Sequence, residues 1–163
     1  MKNITKLALL SAIALGAVLF PHNVSAAPAK DAGDAFRDVE GKEWLLSEVK
    51  GSGKTVVMDR QKLALDNLIG IFSLNFRENR LSGMGAPNRY AAPYSADSNR
   101  ALSIGLIAST MMIAFIEPDG LKEKEFFDYL SATQRWDIFQ GKLELYSKDS
   151  RGNEVILIFT SSN

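Results

Sequence analysis

The chain has no cysteine and a single histidine, His22, in 163 residues. Without cysteine there is no disulfide, no thiolate nucleophile and no residue to carry the lipid of an anchored lipoprotein. His22 falls inside an N-terminal segment with targeting features, so the chain beyond it offers neither imidazole nor thiol. That removes Ser-His and Cys-His catalytic pairs and the usual ligands of a zinc site. Acid–base chemistry would fall to carboxylates, lysine or tyrosine, and we expect no catalytic residue, no metal and no cofactor: not an enzyme. An excess of charge of one sign is missing too, with 19 basic and 19 acidic residues interspersed along the chain. With no basic run there is no electrostatic footprint for nucleic acid or anionic lipid.

Long apolar runs are scarce. Leu7 to Phe20 is apolar but too short and too rich in small residues for a bilayer span, which takes ~20 residues. Behind Lys2 and Lys6, and followed by Pro21 and Val24-Ser25-Ala26, it reads as a cleavable signal peptide over residues 1–26. Cleavage after Ala27 would set Pro28 beside the scissile bond, so Ala26 is the favoured site. The expectation is an exported protein, periplasmic or secreted, with no membrane span after cleavage. Losing Lys2 and Lys6 leaves 17 basic residues against 19 acidic ones, a formal charge of −2. Residues 27–41, rich in alanine and charge without a period, read as a flexible leader, and residues 42–163 as one domain.

Within that domain the apolar period is mostly two. Trp44 to Val49 and Thr55 to Met58 read as strands around a Gly51-Ser52-Gly53 turn, while Gln61 to Gly70 suits either a loop or a short helix. Phe72, Leu74 and Phe76 alternate with polar residues, and Glu78-Asn79 turns the chain into Arg80-Leu81-Ser82. Asn88 to Pro93 and Ala101 to Ile104 form a further pair. The apolar run Leu102 to Ile116 reads as two short buried strands bent near Ser109-Thr110. Leu121 to Leu130 is the one clear helix, capped by Asp119, with Phe126, Tyr129 and Leu130 on its core face. Arg135 to Gln140, Lys142 to Ser147 and Glu154 to Thr160 form a terminal meander, the last strand apolar on both faces. The fold class expected is α+β: a mostly antiparallel, strongly curved, cracked-barrel-like sheet of about eight short strands packed around one helix.

Three local patterns invite chemistry, and each has a simpler account. Gly51-Ser52-Gly53-Lys54-Thr55 ends like a phosphate loop, but the required upstream glycine is Glu48 and the sequel is strand-like, so a hairpin turn is expected. Glu117, Asp119, Glu123 and Glu125 resemble a carboxylate pair, yet acids at a helix start are explained by capping and the macrodipole. Met111-Met112 suggests a soft-metal pair, but adjacent strand residues face opposite sides, so core filling is the better reading.

The most distinctive stretch runs from Ser82-Gly83-Met84-Gly85 through Ala86-Pro87 to Asn88-Arg89-Tyr90 and Tyr94. Small and kink-prone residues of this kind re-aim a strand. Asparagine suits a turn, arginine staples carbonyls or carboxylates, and tyrosine buries a ring beside a wet hydroxyl. The same four residues, Asn88, Arg89, Tyr90 and Tyr94, are also the candidate contact surface. Together with Trp44-Leu45-Leu46, Thr110-Met111-Met112-Ile113-Ala114 and Glu125-Phe126 ahead of Leu130, this stretch resembles the META domain of the HslJ heat-shock family. The family commonly carries cysteine where this chain has Ala86-Pro87 and Phe115, so a redox role does not transfer. The resemblance implies a small envelope domain associated with stress tolerance, without an established reaction. By fold analogy with secretin pilot proteins it also implies a protein partner or a lipid-like ligand. The expectation is an exported, non-enzymatic domain that binds an envelope protein partner or supports stress tolerance. The alternative is a carrier of a small hydrophobic ligand or lipid.

Overall fold

The structure, a computed structural model, describes residues 36–51, 53–113, 118 and 120–162. The expected signal peptide and the first part of the leader lie outside these residues, as does Asp119. Ten strands form one antiparallel sheet: β1 (Trp44–Gly51), β2 (Lys54–Val57), β3 (Ser73–Arg77), β4 (Arg80–Met84), β5 (Arg89–Ala96), β6 (Leu102–Ile104), β7 (Ala108–Ser109), β8 (Arg135–Phe139), β9 (Lys142–Lys148) and β10 (Glu154–Ser161). Eight follow one continuous path, β6-β5-β4-β3-β1-β10-β9-β8, with β2 paired to β1 and β7 to β5. The two ends of that path meet where Ala101 bridges Arg135 and the Leu102 N–H donates to the Gln134 carbonyl at 3.1 Å. The sheet is therefore a nearly closed barrel, mostly β with a helix, as its alternating apolar residues predict.

Tight turns set the register. Glu78-Asn79 (φ 51° and 60°) and Gln140-Gly141 (φ 51° and 76°) each close a two-residue hairpin with left-handed backbone at both central positions. That geometry matches the right-handed twist of the flanking strands. The longer turn before β10 is organised by Asp149, whose carboxylate accepts from the N–H groups of Arg151 and Asn153, each at 2.9 Å. In β10 Val155, Leu157 and Phe159 face the core, and Ile158 is buried on the opposite face. β10 lies between β1 and β9, as expected of a strand apolar on both sides.

The ambiguous stretch after β2 contains a short helix, α1 (Arg60–Leu65), capped by the Asp59 carboxylate through the N–H groups of Gln61 and Lys62. Its first residue has a role that local pattern does not announce. On one edge β1 pairs with β3 at Trp44 and Leu45 and then with β2 from Glu48 to Gly51, and on the other its ladder with β10 slips register between Leu46 and Glu48. The Arg60 guanidinium fills that junction, donating to the carbonyls of Leu46 (2.9 Å from Nε) and Ile71 (2.9 Å from Nη1). Burial pushes its pKa down to about 10, so it stays charged at neutral pH, with carbonyl dipoles replacing the lost water.

Three expectations need correction. The flexible leader does not extend to residue 41: Phe36 and Val39 are buried, and Phe36 stacks edge-on against Phe76 and Trp136 with ring centroids 5.2 and 4.9 Å apart. Two isolated apolar residues in an alanine- and charge-rich stretch have no period, yet each finds a place in the core. The helix expected from Leu121 begins two residues later: α2 spans Glu123–Ser131, with Lys122 at its N-cap and no side-chain cap. Phe126 and Leu130 are fully buried on its inner face, each contributing ~1.5–3 kcal/mol of burial, while Tyr129 is partly buried. The apolar run after β6 is not a second buried strand. β7 has only two residues, both exposed, and Leu106, Met111, Met112 and Ile113 are 89, 97, 61 and 85 % exposed. Met111 and Met112 therefore do not fill the core. Residues 114–117 lie outside the described residues.

Candidate functional site

The site begins with two glycines on β4 and the turn that follows. Gly83 sits opposite Leu74 of β3 and Tyr90 of β5. A Cβ there would meet the Ser73 carbonyl oxygen at 2.0 Å, and the Tyr90 hydroxyl donates to that oxygen at 2.8 Å. The tyrosine ring thus lies over the glycine, packed against Phe126 and Phe127 with centroids 6.0 and 5.1 Å away. Gly85 has the same requirement for a different reason, since a Cβ would come within 2.5 Å of Glu123 Oε1. The turn then passes through a cis Ala86–Pro87 peptide to Asn88.

Asn88 is the hub of this region and is buried. Its Nδ2 donates to Glu123 Oε2 (2.7 Å) and to the Met112 carbonyl (3.1 Å), and its Oδ1 accepts from Thr110 Oγ1 (2.8 Å) and the Met112 N–H (2.6 Å). Glu123 Oε1 accepts from the N–H groups of Ala86 (2.6 Å) and Asn88 (2.7 Å). Helix α2 therefore grips the turn, and the Asn88 side chain holds the exposed segment 110–112 beside one backbone bond, from the Thr110 N–H to the Arg89 carbonyl at 3.0 Å. Dipole and capping arguments alone miss Glu123, because its partners lie 35 to 37 residues away. Of its acidic neighbours, Glu125 accepts from the Tyr129 hydroxyl at 2.7 Å, and Glu117 lies outside the described residues.

Of the four candidate contact residues, three face inward. Asn88 and Tyr90 are engaged as above. Tyr94 is buried, stacks with Phe36 and Phe76 (5.5 and 4.8 Å), and donates its hydroxyl to Glu40 in a short hydrogen bond. Arg89 alone points outward and is exposed. Alternation carries this signal: Tyr90, Ala92 and Tyr94 share one face of β5, and Arg89, Ala91 and Pro93 the other. Gly51 to Thr55 is a hairpin connection, with Gly51 paired to Lys54 and Gly53 at φ 75°. Among the described residues no three of His, Cys, Asp or Glu converge on a point.

All four tyrosines of the chain are held protonated beyond their ordinary value of 10. Burial raises Tyr90. Burial, then the hydrogen bond and charge of Glu40, raises Tyr94, and burial followed by Glu125 does the same for Tyr129. For Tyr146 the hydrogen bond to Glu144 leads, ahead of burial. Each phenol thus binds its proton more tightly folded than unfolded, so this part of the stability is complete below the unfolded value of ~10 and is lost as pH rises above it. In an alkaline titration, tyrosinate absorbance is expected to appear together with loss of the folded circular-dichroism signal. Separate stepwise ionisation of a folded protein near pH 10 would contradict these environments.

The outer face of β3, β4 and β5 carries a shallow groove of about 430 Å³, with Arg80 and Arg89 among its lining residues. Fold and site together define a nearly closed antiparallel barrel, braced by one helix through a glycine-rich turn that is locked by an asparagine and a glutamate. The chain belongs to the META domain family, whose model matches residues 37–161. In overall structure it is similar to a protein from Burkholderia xenovorans solved by NMR. The TM-score is 0.58 and the identity 20 %, over 90 % of this chain and 99 % of that one. It is also similar to a duf4847 family protein from Bacteroides vulgatus solved by crystallography, with a TM-score of 0.51 and 14 % identity over 77 % of this chain and 96 % of that one. At these identities the likeness is one of fold. No curated protein matches the chain.

Proposed function

We propose that this chain is an exported, non-enzymatic META-domain protein of the bacterial envelope that binds a protein partner and in that way supports the envelope under stress. The observation that carries the binding half of this reading is the segment from Leu106 to Ile113. Four large apolar side chains there are 61–97 % exposed within eight residues, and Asn88 fixes the backbone of the segment at Thr110 and Met112. A concentration of exposed apolar surface of this kind marks an interaction site more often than it is left bare. Export rests on the basic, apolar and small-residue order of residues 1–26. No helix among the described residues is long and apolar enough to cross a membrane. The carrier alternative gains no such support, because Phe72, Phe76, Phe126, Trp136 and Phe159, all fully buried, fill the interior.

Two measurements test the reading. The protein expressed from its full-length gene is expected in the periplasmic or medium fraction with Ala27 as its first residue, and retention of Met1 in the cytoplasm would refute export. Cross-linking in intact cells through a photoreactive group at Leu106 is expected to give a discrete adduct that is lost on Met111→Asp. The absence of any adduct, together with unchanged stress survival on deletion, would refute partner binding.

A further inference from the structure

The groove on the outer face has a layout that folding does not require. Asn75, Ser82 and Ala91 form a cross-strand row in register across β3, β4 and β5, and their short side chains make the floor. Two residues along the strands in each direction, side chains point outward again. One end presents Met84 and Arg89 in the row of the buried Ser73, and the other presents Arg77, Arg80 and Pro93. Arg89 and Arg80 therefore stand four register positions apart, about 13 Å along the strands. Both are exposed, and among the described residues neither has an ion-pair partner. Arg77 pairs with Glu78 at 3.6 Å, and Arg100 with Asp137, so an unpaired guanidinium is not the rule on this surface. The carboxylate that lines the groove, Glu43, accepts from Ser162 Oγ at 3.0 Å. Beside Arg80, across the strands, the surface turns apolar, and an adjoining hollow of about 370 Å³ is lined by Ala91, Pro93 and Leu106, with Arg80 and Ala91 common to both.

We infer that this groove docks an extended acidic segment of the partner protein, with one carboxylate on Arg89, a second on Arg80, and a large apolar side chain beside the second on Pro93 and Leu106. This deepens the partner-binding reading and rests on it. In an extended segment the side chains at i and i+4 lie on one side about 13 Å apart, which is the spacing of the two guanidinium-bearing rows. Each guanidinium presents a planar fork that a carboxylate satisfies with two hydrogen bonds. The Ser82 hydroxyl on the floor suits a peptide backbone, while the Asn75 amide nitrogen beside it is already given to the Lys42 carbonyl at 2.9 Å. A lipid surface contacts protruding residues and does not reach a concave, polar floor, and two cations on a chain of balanced charge are too few for nucleic acid.

The test uses the folded, mature protein and two displayed libraries of short peptides. One fixes Glu-x-x-x-Glu followed by a large apolar residue, the other Gln-x-x-x-Gln in the same frame, and vesicles rich in phosphatidylglycerol serve as a third probe. Enrichment from the glutamate library alone is expected, with amide shifts at Ser73, Asn75, Ser82 and Ala91. Binding should weaken about tenfold or more in the double variant Arg80→Glu, Arg89→Glu, and also with added salt. Both arginines are exposed, and an unchanged thermal midpoint confirms that the double variant folds. Equal enrichment from both libraries, or none from either, overturns the inference. So does vesicle binding that the double variant abolishes, which would assign the arginines to a lipid surface. Enriched peptides that shift only residues 106–113 overturn the groove while leaving the partner-binding reading intact, and failure of that reading is registered separately by the cross-linking experiment.

Discussion

Replacing Gly83 by alanine is expected to destabilise the protein by on the order of 3 kcal/mol and to lower its thermal midpoint by on the order of 10 °C. The added Cβ would sit 2.0 Å from the Ser73 carbonyl oxygen and 2.8 Å from the Tyr90 hydroxyl oxygen, and those two atoms are bonded to each other. The carbonyl belongs to β3, whose ladder with β4 runs from Ser73↔Met84 to Arg77↔Arg80, so it cannot turn away without breaking that pairing. The tyrosine is wedged against Phe126 and Phe127 and has little room to retreat.

Two controls separate this cause from others. Gly141→Ala, at φ 76° with nothing within 4 Å of its Cβ, is expected to cost only ~1 kcal/mol, through backbone strain alone. Tyr90→Phe removes the hydroxyl and is expected to cost ~1 kcal/mol by leaving the Ser73 carbonyl without that bond. In the double variant Gly83→Ala, Tyr90→Phe part of the loss should be relieved, because one of the two collisions is gone. A Gly83→Ala protein that melts within a degree or two of the parent would show that β4 is not held this close to β3.

What can be read along the chain, and what cannot, divides by the range of the interaction. The alternation of Leu74 and Phe76, the two-sided apolarity of β10 and the Gly141 hairpin are local patterns, and each matches the structure. The exposure of Leu106, Met111, Met112 and Ile113 is not local. A run of apolar residues looks like a buried strand until Asn88, more than 20 residues earlier, is seen to take the bonds of the Thr110 hydroxyl and of the Met112 backbone. Arg60 and Glu123 are hidden for the same reason, since each bonds backbone atoms of segments distant in sequence. The candidate contact residues show the limit of composition: Asn88-Arg89-Tyr90 and Tyr94 are conspicuous as residue types, but period two assigns Tyr90 and Tyr94 to the inner face and Arg89 to the outer one. Arg80 joins Arg89 only through the Arg80↔Pro93 register, which depends on the Glu78-Asn79 turn.

The second large effect is expected at Asn88. Asn88→Ala removes four hydrogen bonds at once, two of them to the segment at Met112 and one to the Glu123 carboxylate. At ~0.5–1.5 kcal/mol for each neutral bond and more for the charged one, with water recovering part at the exposed segment, the net loss is about 3 kcal/mol. Hydrogen exchange should show it locally first, with the Met112 amide losing its protection before the β-ladders do. Asn88→Asp gives a sharper result. It keeps the shape and the acceptor for Thr110 and Met112 but sets a second carboxylate against Glu123 Oε2, where the amide had donated at 2.7 Å. Two carboxylates at that distance share one proton, so the folded variant binds that proton more tightly than the unfolded chain, whose carboxylates titrate near ~4. Its stability must therefore rise as pH falls from neutral toward ~4, and must be lost again as pH climbs through the raised folded-state value. Adding Glu123→Gln exchanges amide and carboxylate across the same contact, and is expected to restore part of the stability at neutral pH and flatten the pH dependence. An Asn88→Asp protein as stable as the parent at neutral pH, or one indifferent to acidification, would mean that Glu123 does not close on the turn. In that case neither the placement of Gly85 nor the hold on residues 110–112 would have its stated cause.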